Sequence, residues 1–147
     1  WGWGDGSYGQ LGHNNTTSYS SPVQVGSLTD WAQVSCGPQY TLALKTDGTV
    51  WGWGGNFSGS NGDGTSITTS SPVQIGSLTD WASIDAGGLG GSAVKTDGTL
   101  WSWGQASNGR LGDGTTTNKS SPVQVGSLTD WIQSSAGSGA DYGIKSA

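Results

Sequence analysis

The sequence predicts an all-β protein made of β-propeller blades, three in number, each a sheet of four antiparallel strands. Three observations carry this reading. A 50-residue unit recurs without an insertion: WGWG at 1–4 returns as WGWG at 51–54 and WSWG at 101–104, and SSPVQVGSLTDW at 20–31 returns at 70–81 and 120–131, with Ile75 as the one change. Within each unit the apolar residues alternate in short runs, and no stretch carries a helical stripe. The composition points the same way, with 28 Gly among 147 residues, no Met, and Asp as the only acid. Strong helix formers are scarce, and Ser, Thr, Val, Trp and Gly suit strands and turns.

Each unit holds four candidate strands. The first is the Trp-x-Trp run, where alternation sets Trp51 and Trp53 on one face and Gly52 and Gly54 on the other. The second spans 22–25, with Val23 and Val25 aligned and Pro22 at the strand start, where a missing donor does least harm. The third spans 31–36, with Ala32, Val34 and Cys36 alternating against Gln33 and Ser35. The fourth spans 40–45, with Leu42 and Leu44 aligned. Lys45-Thr46-Asp47-Gly48-Thr49 then turns the chain into the next Trp-x-Trp, and Asp-Gly between alternating runs is a strong hairpin signal.

The units are therefore expected at 1–50, 51–100 and a shorter 101–147, together one propeller segment. A four-stranded sheet of about 50 residues matches a blade, and a blade cannot bury its faces alone. Leu, Ile, Val and Phe total only 23, so the core is expected to rest on the nine tryptophans: Trp1, Trp3, Trp31, Trp51, Trp53, Trp81, Trp101, Trp103 and Trp131. Each aromatic can cover roughly 150–250 Å². The indoles are expected to fill the seams between adjacent blades.

Charge and composition exclude several functions. The net charge is −5 with five Lys or Arg, and there is no basic stripe for nucleic acid. No apolar run is long enough to span a bilayer as a helix. Cys36 is alone, which rules out an intrachain disulfide and suggests a small buried residue. The single His13 sits in a polar loop without a sequence-adjacent acid, so it reads as a solvated residue rather than a general base. No serine sits in a nucleophile elbow. His13 and Cys36 cannot hold zinc alone. Asp63 and Asp113, in NGDGT and LGDGT, are too few oxygens for calcium and fit Asp-Gly turns instead. No catalytic residue, cofactor or metal is expected. Sequons occur at Asn14, Asn15, Asn56 and Asn118, as chance allows in a chain so rich in Ser and Thr.

The long loop between the first two strands varies most between units, reading GHNNTTSYS at 12–20, GDGTSITTS at 62–70 and GDGTTTNKS at 112–120. Loops on a rigid scaffold are where recognition sits. The candidate contacts are Tyr8, His13, Asn14 and Tyr19 in the first unit, Phe57, Asn61 and Ile67 in the second, and Asn108, Arg110 and Lys119 in the third.

The pattern resembles the regulator of chromosome condensation repeat, on DGTVWGWG at 47–54, WGWGDGSYGQLG at 1–12 and VSCGPQYTLAL at 34–44. The resemblance covers all three units and implies a β-propeller. The family includes a guanine-nucleotide exchange factor for a nuclear small GTPase, and similar propellers occur in secreted bacterial inhibitors of β-lactamases. Where the family commonly has His in the turn between third and fourth strands, this chain has Tyr40, Gly90 and Ala140. Where it usually has Asn after Trp-Gly-x, this chain has Gly6, Asn56 and Ala106. Exchange-active members carry a ring of about seven blades, and this chain offers no insertion for a wedge.

The expected function is a non-enzymatic binding or structural module, surface-displayed on a cell or virion or extracellular, that recognises a protein or a glycan through its loops. The alternatives are an exchange-factor-like regulator of a small GTPase and a secreted enzyme inhibitor. Three blades do not close a normal ring. The chain therefore reads as an open fragment, with further blades supplied by the same polypeptide or by identical chains joined head to tail.

Overall fold

The structure, a computed structural model, describes residues 1–147. Its strands are β1 (Gly2–Gly4), β2 (Tyr19–Val23), β3 (Trp31–Cys36), β4 (Tyr40–Lys45), β5 (Val50–Gly54), β6 (Thr69–Gln74), β7 (Trp81–Ala86), β8 (Gly90–Lys95), β9 (Leu100–Gly104), β10 (Lys119–Gln124), β11 (Trp131–Ala136) and β12 (Asp141–Lys145). They form two complete antiparallel blades, β3-β4-β5-β6 and β7-β8-β9-β10, flanked by the two-stranded sheets β1-β2 and β11-β12. The all-β, four-stranded blade architecture is as expected. The sheets are one hairpin out of phase with the sequence units, because the Trp-x-Trp strands β5 and β9 pair back onto β4 and β8 before them. A whole blade therefore draws on two consecutive units, and two blades plus two half-blades stand where three blades were counted.

The KTDGT turn shows why the pairing runs backward. The carboxylate of Asp47 accepts hydrogen bonds from the Thr49 backbone N–H at 3.0 Å and hydroxyl at 2.7 Å. Thr49 Oγ1 in turn accepts the indole N–H of Trp51 at 2.9 Å. Gly48 has φ +79°, and a Cβ there would lie 2.1 Å from the carbonyl oxygen of Thr79. Only glycine lets the turn sit against the 79–81 segment, where Trp81 N–H donates to Gly48 O.

Strand β6 begins earlier than the sequence suggests, at Thr69. Pro72 lies inside it without harm, because β6 is the edge of its sheet and no neighbour needs the missing donor.

The blades meet along a continuous apolar seam. Leu42, Leu44, Val50, Ile84, Ala93 and Trp103 belong to one buried cluster that spans both complete blades. Polar links reinforce it. The Gln33 side chain donates to Ile84 O at 2.9 Å and accepts from Ile84 N–H at 3.1 Å. Asp85 accepts from the Ser35 hydroxyl at 2.9 Å and from Ala136 N–H at 2.8 Å, tying three sheets together. Tyr40 is buried and donates to Gly90 O at 2.6 Å in the next blade, and burial pushes its phenol well above the ordinary range.

The tryptophans divide into distinct roles. Trp53 and Trp103, buried, carry the seam: their indole N–H groups donate to Gln10 O at 2.9 Å and Ser60 O at 3.0 Å in the preceding blade. Trp51 and Trp101 pack edge-to-face on Trp31 and Trp81 of their own blades. The Lys45 ammonium lies over both rings of the first pair, 5.0 and 4.5 Å from the centroids, and bonds Asp30 at 3.3 Å. Lys95 repeats the arrangement with Trp81, Trp101 and Asp80. Trp131 is half-buried.

Two expectations are corrected. Trp1 and Trp3 are not buried in this structure: they are 74% and 59% exposed, and β1 pairs only with β2. Cys36 is exposed rather than buried, and it lines a groove together with Trp1, Trp3 and Val34.

Candidate binding loops

Three equivalent loops, 5–18, 55–68 and 105–118, connect β1 to β2, β5 to β6 and β9 to β10. The first two each carry a glycine-rich knuckle that reaches over the next blade. A Cβ on Gly9 would lie 2.6 Å from Ser70 Cα, and one on Gly59 would lie 2.5 Å from Ser120 Cα. Backbone bonds complete the clamp, from Asn14 N–H to Ser70 O at 2.8 Å and from Gly64 N–H to Ser120 O at 2.7 Å. These two loops are thus held on the outer strand of the following blade, and what they display is displayed rigidly.

Asp5 organises the tip of the first loop. It accepts from the Ser7 hydroxyl and backbone, from Gln10 and from Ser18, and the Ser7 hydrogen bond leads in holding its carboxyl below the ordinary range. In the second loop Asn56 does more. Buried, its side-chain amide donates to Asp63, Thr65 O and Ile67 O, while its Oδ1 accepts from Asn61 N–H at 2.9 Å. The third loop has Ala106 there, and Asn118 Oδ1 reaches back to the Ala106 N–H at 2.9 Å instead.

The candidate contacts separate into displayed and structural residues. Tyr8 and Phe57 are exposed, 36% and 44%, and stack edge-to-face with ring centroids 5.6 Å apart, so two neighbouring loops present one aromatic pair. Ile67 is 67% exposed, and Asn108 lies exposed at the tip of the third loop with φ +61°. Arg110 is half-buried, its Nε donating to Ser107 O at 3.5 Å.

Others serve the fold. Asn61 is fully buried and donates to Gly54 O, so it is no contact residue. His13 Nε2 engages Val23 O at 3.1 Å, and its ring packs edge-to-face on half-buried Tyr19. The Asn14 side chain accepts from Ser71 across the seam. Lys119 is tied to Asp113 at 3.5 Å. Burial tends to raise the Asp113 carboxyl, but the Thr115 N–H and hydroxyl and Lys119 outweigh it and leave it low.

Sequence reasoning missed Tyr40 as a seam-bridging hydroxyl and Asn56 as a loop organiser. The signal for both was a polar or aromatic side chain at a position where the other units differ. No cluster of three or more His, Cys, Asp or Glu that could hold a metal forms, and no helix is long and apolar enough to cross a membrane.

The regulator of chromosome condensation (RCC1) repeat model matches residues 1–44 and 97–140, and a second model of the same repeat matches 31–64. The chain belongs to the RCC1 repeat family. Among curated proteins, the human and mouse E3 ubiquitin-protein ligases HERC2 are each 40% identical over 52 residues, 34% of this chain and 1% of theirs. Among solved structures, human WBSCR16 superposes with a TM-score of 0.84 at 27% identity, over 97% of this chain and 39% of its own. Prp20p from Saccharomyces cerevisiae superposes with a TM-score of 0.78 at 19% identity, over 99% and 39%. The chain thus spans well under half of the solved RCC1-like chains and a hundredth of the ligases.

Proposed function

We propose that this RCC1-repeat segment is a non-enzymatic protein-binding module whose contact surface is centred on the Tyr8–Phe57 pair. The pair carries the reading. It is an exposed aromatic anchor, drawn from two blades and held by loops that are themselves clamped. Aromatic residues on rigid supports are the usual energetic centres of protein interfaces. The neighbour Prp20p has binding properties toward Gsp1p and histones, and it has been solved with Kap60 bound, so a related propeller uses protein partners.

The test is affinity capture from extracts of the source cells with the parent chain and with the double variant Tyr8→Ala, Phe57→Ala. Both rings are exposed, so the variant should fold as the parent does. Specific proteins retained by the parent and lost by the variant are expected, whereas an unchanged set would overturn the assignment. A glycan array run alongside, giving binding that depends on the same rings, would replace protein by glycan as the ligand.

A further inference from the structure

A second set of turns lies at the strand ends opposite the loops 5–18, 55–68 and 105–118. The chain passes from β2 to β3, from β6 to β7 and from β10 to β11 through the same Gly-Ser-Leu-Thr-Asp segment, at 26–30, 76–80 and 126–130. The leucine is exposed in all three: Leu28 by 48%, Leu78 by 41% and Leu128 by 47%. Leu78 lies between the two complete blades, so no open sheet edge accounts for its exposure. The turns 46–49 and 96–99, which join β4 to β5 and β8 to β9, share this end of the sheets.

Backbone hydrogen bonds string these turns into one row. Thr46 N–H donates to Asp30 O at 2.9 Å, Trp81 N–H to Gly48 O at 3.2 Å, Thr96 N–H to Asp80 O at 2.8 Å and Trp131 N–H to Gly98 O at 3.0 Å. Leucine and carboxylate alternate along it, in the order Leu28, Asp47, Leu78, Asp97, Leu128. Asp47 and Asp97 are exposed. Thr49 and Thr99 fix them through Oδ1, and Oδ2 of each makes no hydrogen bond within the chain. No unpaired cation stands beside them. Lys45 and Lys95 are 7% and 8% exposed, and their charge goes to Asp30, Asp80 and the indole faces. Lys145 is paired with Asp130 at 2.9 Å.

We propose that this row is a second docking surface, for a segment of another protein in which Lys or Arg alternates with apolar residues. Its apolar residues lie against Leu28, Leu78 and Leu128, and its cations meet Asp47 and Asp97. Charge complementarity chooses the occupant. Nucleic acid and anionic lipid would set like charge against the carboxylates. A second copy of the chain has no matching series: of its five Lys or Arg, three belong to this row, and Lys119 and Arg110 lie at the loop end. An exposed ion pair is weak by itself, so the leucines supply most of the affinity and the carboxylates select the sign of the partner. The backbone bonds along the row hold both in place before binding.

The test is fluorescence anisotropy of a labelled peptide of Lys-Leu pairs spaced by Gly-Ser, titrated with the chain. Saturable binding is expected, weaker at high salt. The same peptide with Gln for Lys, or with Ser for Leu, should bind less well. Leu78→Ser should weaken binding about fivefold, because it removes one partly exposed apolar anchor. Asp47→Asn with Asp97→Asn keeps the acceptors for Thr49 and Thr99 and should also cost about fivefold. Asp5→Asn with Asp63→Asn removes the same charge from the loop end and should leave binding unchanged, as should Tyr8→Ala with Phe57→Ala. Circular dichroism of each variant confirms that it keeps the strand content of the parent. The proposal is overturned if no peptide binds, if the Gln peptide binds as tightly as the Lys peptide, or if the loop-end variants lose as much as those on the row.

Discussion

Trp103 donates its indole N–H to the carbonyl oxygen of Ser60 at 3.0 Å, reaching from β9 of one blade into the loop of the blade before it. The ring is fully buried, and a Cβ on Gly62 would lie only 2.7 Å from its Nε1. The loop glycine and the indole thus fit each other, and the same fit recurs one repeat earlier between Gly12 and Trp53. A recurring seam of this kind explains why the Trp-x-Trp run keeps its 50-residue period.

Truncating that ring should be the most damaging single change in the chain. The lost burial and the cavity together cost about 3–5 kcal/mol for Trp103→Ala, whereas the hydrogen bond alone is worth about 1 kcal/mol. Trp103→Phe keeps most of the apolar contact and should fall between the two. Urea unfolding followed by circular dichroism orders the three proteins, and a Phe variant as unstable as the Ala variant would assign the energy to the hydrogen bond instead.

Lys95 should tolerate loss of its charge poorly. It is 8% exposed, lies over Trp81 and Trp101, and bonds Asp80 at 3.4 Å. Asp80 is 42% exposed, so water can replace much of the ion pair, and the cation–aromatic contact carries the larger share. Lys95→Met retains the aliphatic stem between the rings. It is expected to cost about 1–2 kcal/mol, read as a lower thermal midpoint.

Gly48 and Gly98 should resist substitution equally. Both have positive φ, +79° and +77°, and a Cβ on either would lie 2.1 Å from the carbonyl oxygen of Thr79 or Thr129. Gly48→Ala combines backbone strain with a backbone clash and should cost more than about 1 kcal/mol. Gly26→Ala is the control. Its φ is +61° but nothing lies within 4 Å, so only the strain is present, and the smaller loss of urea midpoint isolates the clash.

The repeat length, the four-strand unit and the Asp-Gly hairpin turn were all legible in the sequence, because each rests on local pattern. What was hidden depends on neighbours. Alternation puts Trp1 and Trp51 on equivalent faces, yet only Trp51 has a lysine and a second indole beside it. Asn61 and Phe57 both read as polar-loop or loop-tip residues, but one is sealed under the loop by Asn56 and the other stacks outward on Tyr8. Pro72 misplaced the start of the second strand, since its tolerance at a sheet edge is a property of the sheet rather than of the dipeptide.

Acid should act on the fold with two opposite signs. Burial raises the Asp141 carboxyl and Asp85 adds to it, while the Gly137 N–H at 3.1 Å and Arg110 oppose the shift. A folded value above the ordinary 3.8 means that the stability Asp141 contributes is present at low pH and is lost as pH rises through the folded value. Asp141→Asn keeps an acceptor for Gly137 and removes that loss. The variant should therefore exceed the parent in urea midpoint at neutral pH, with the gap closing below the ordinary carboxylate value. Asp47 and Asp97 behave in reverse: the hydroxyls of Thr49 and Thr99 lead in lowering them, so their contribution is present at neutral pH and fades as pH falls through their folded values. Asp97→Ala should lose midpoint relative to the parent at neutral pH and converge with it in acid. If the gap for Asp141→Asn widened in acid instead, burial would not be what sets its ionisation.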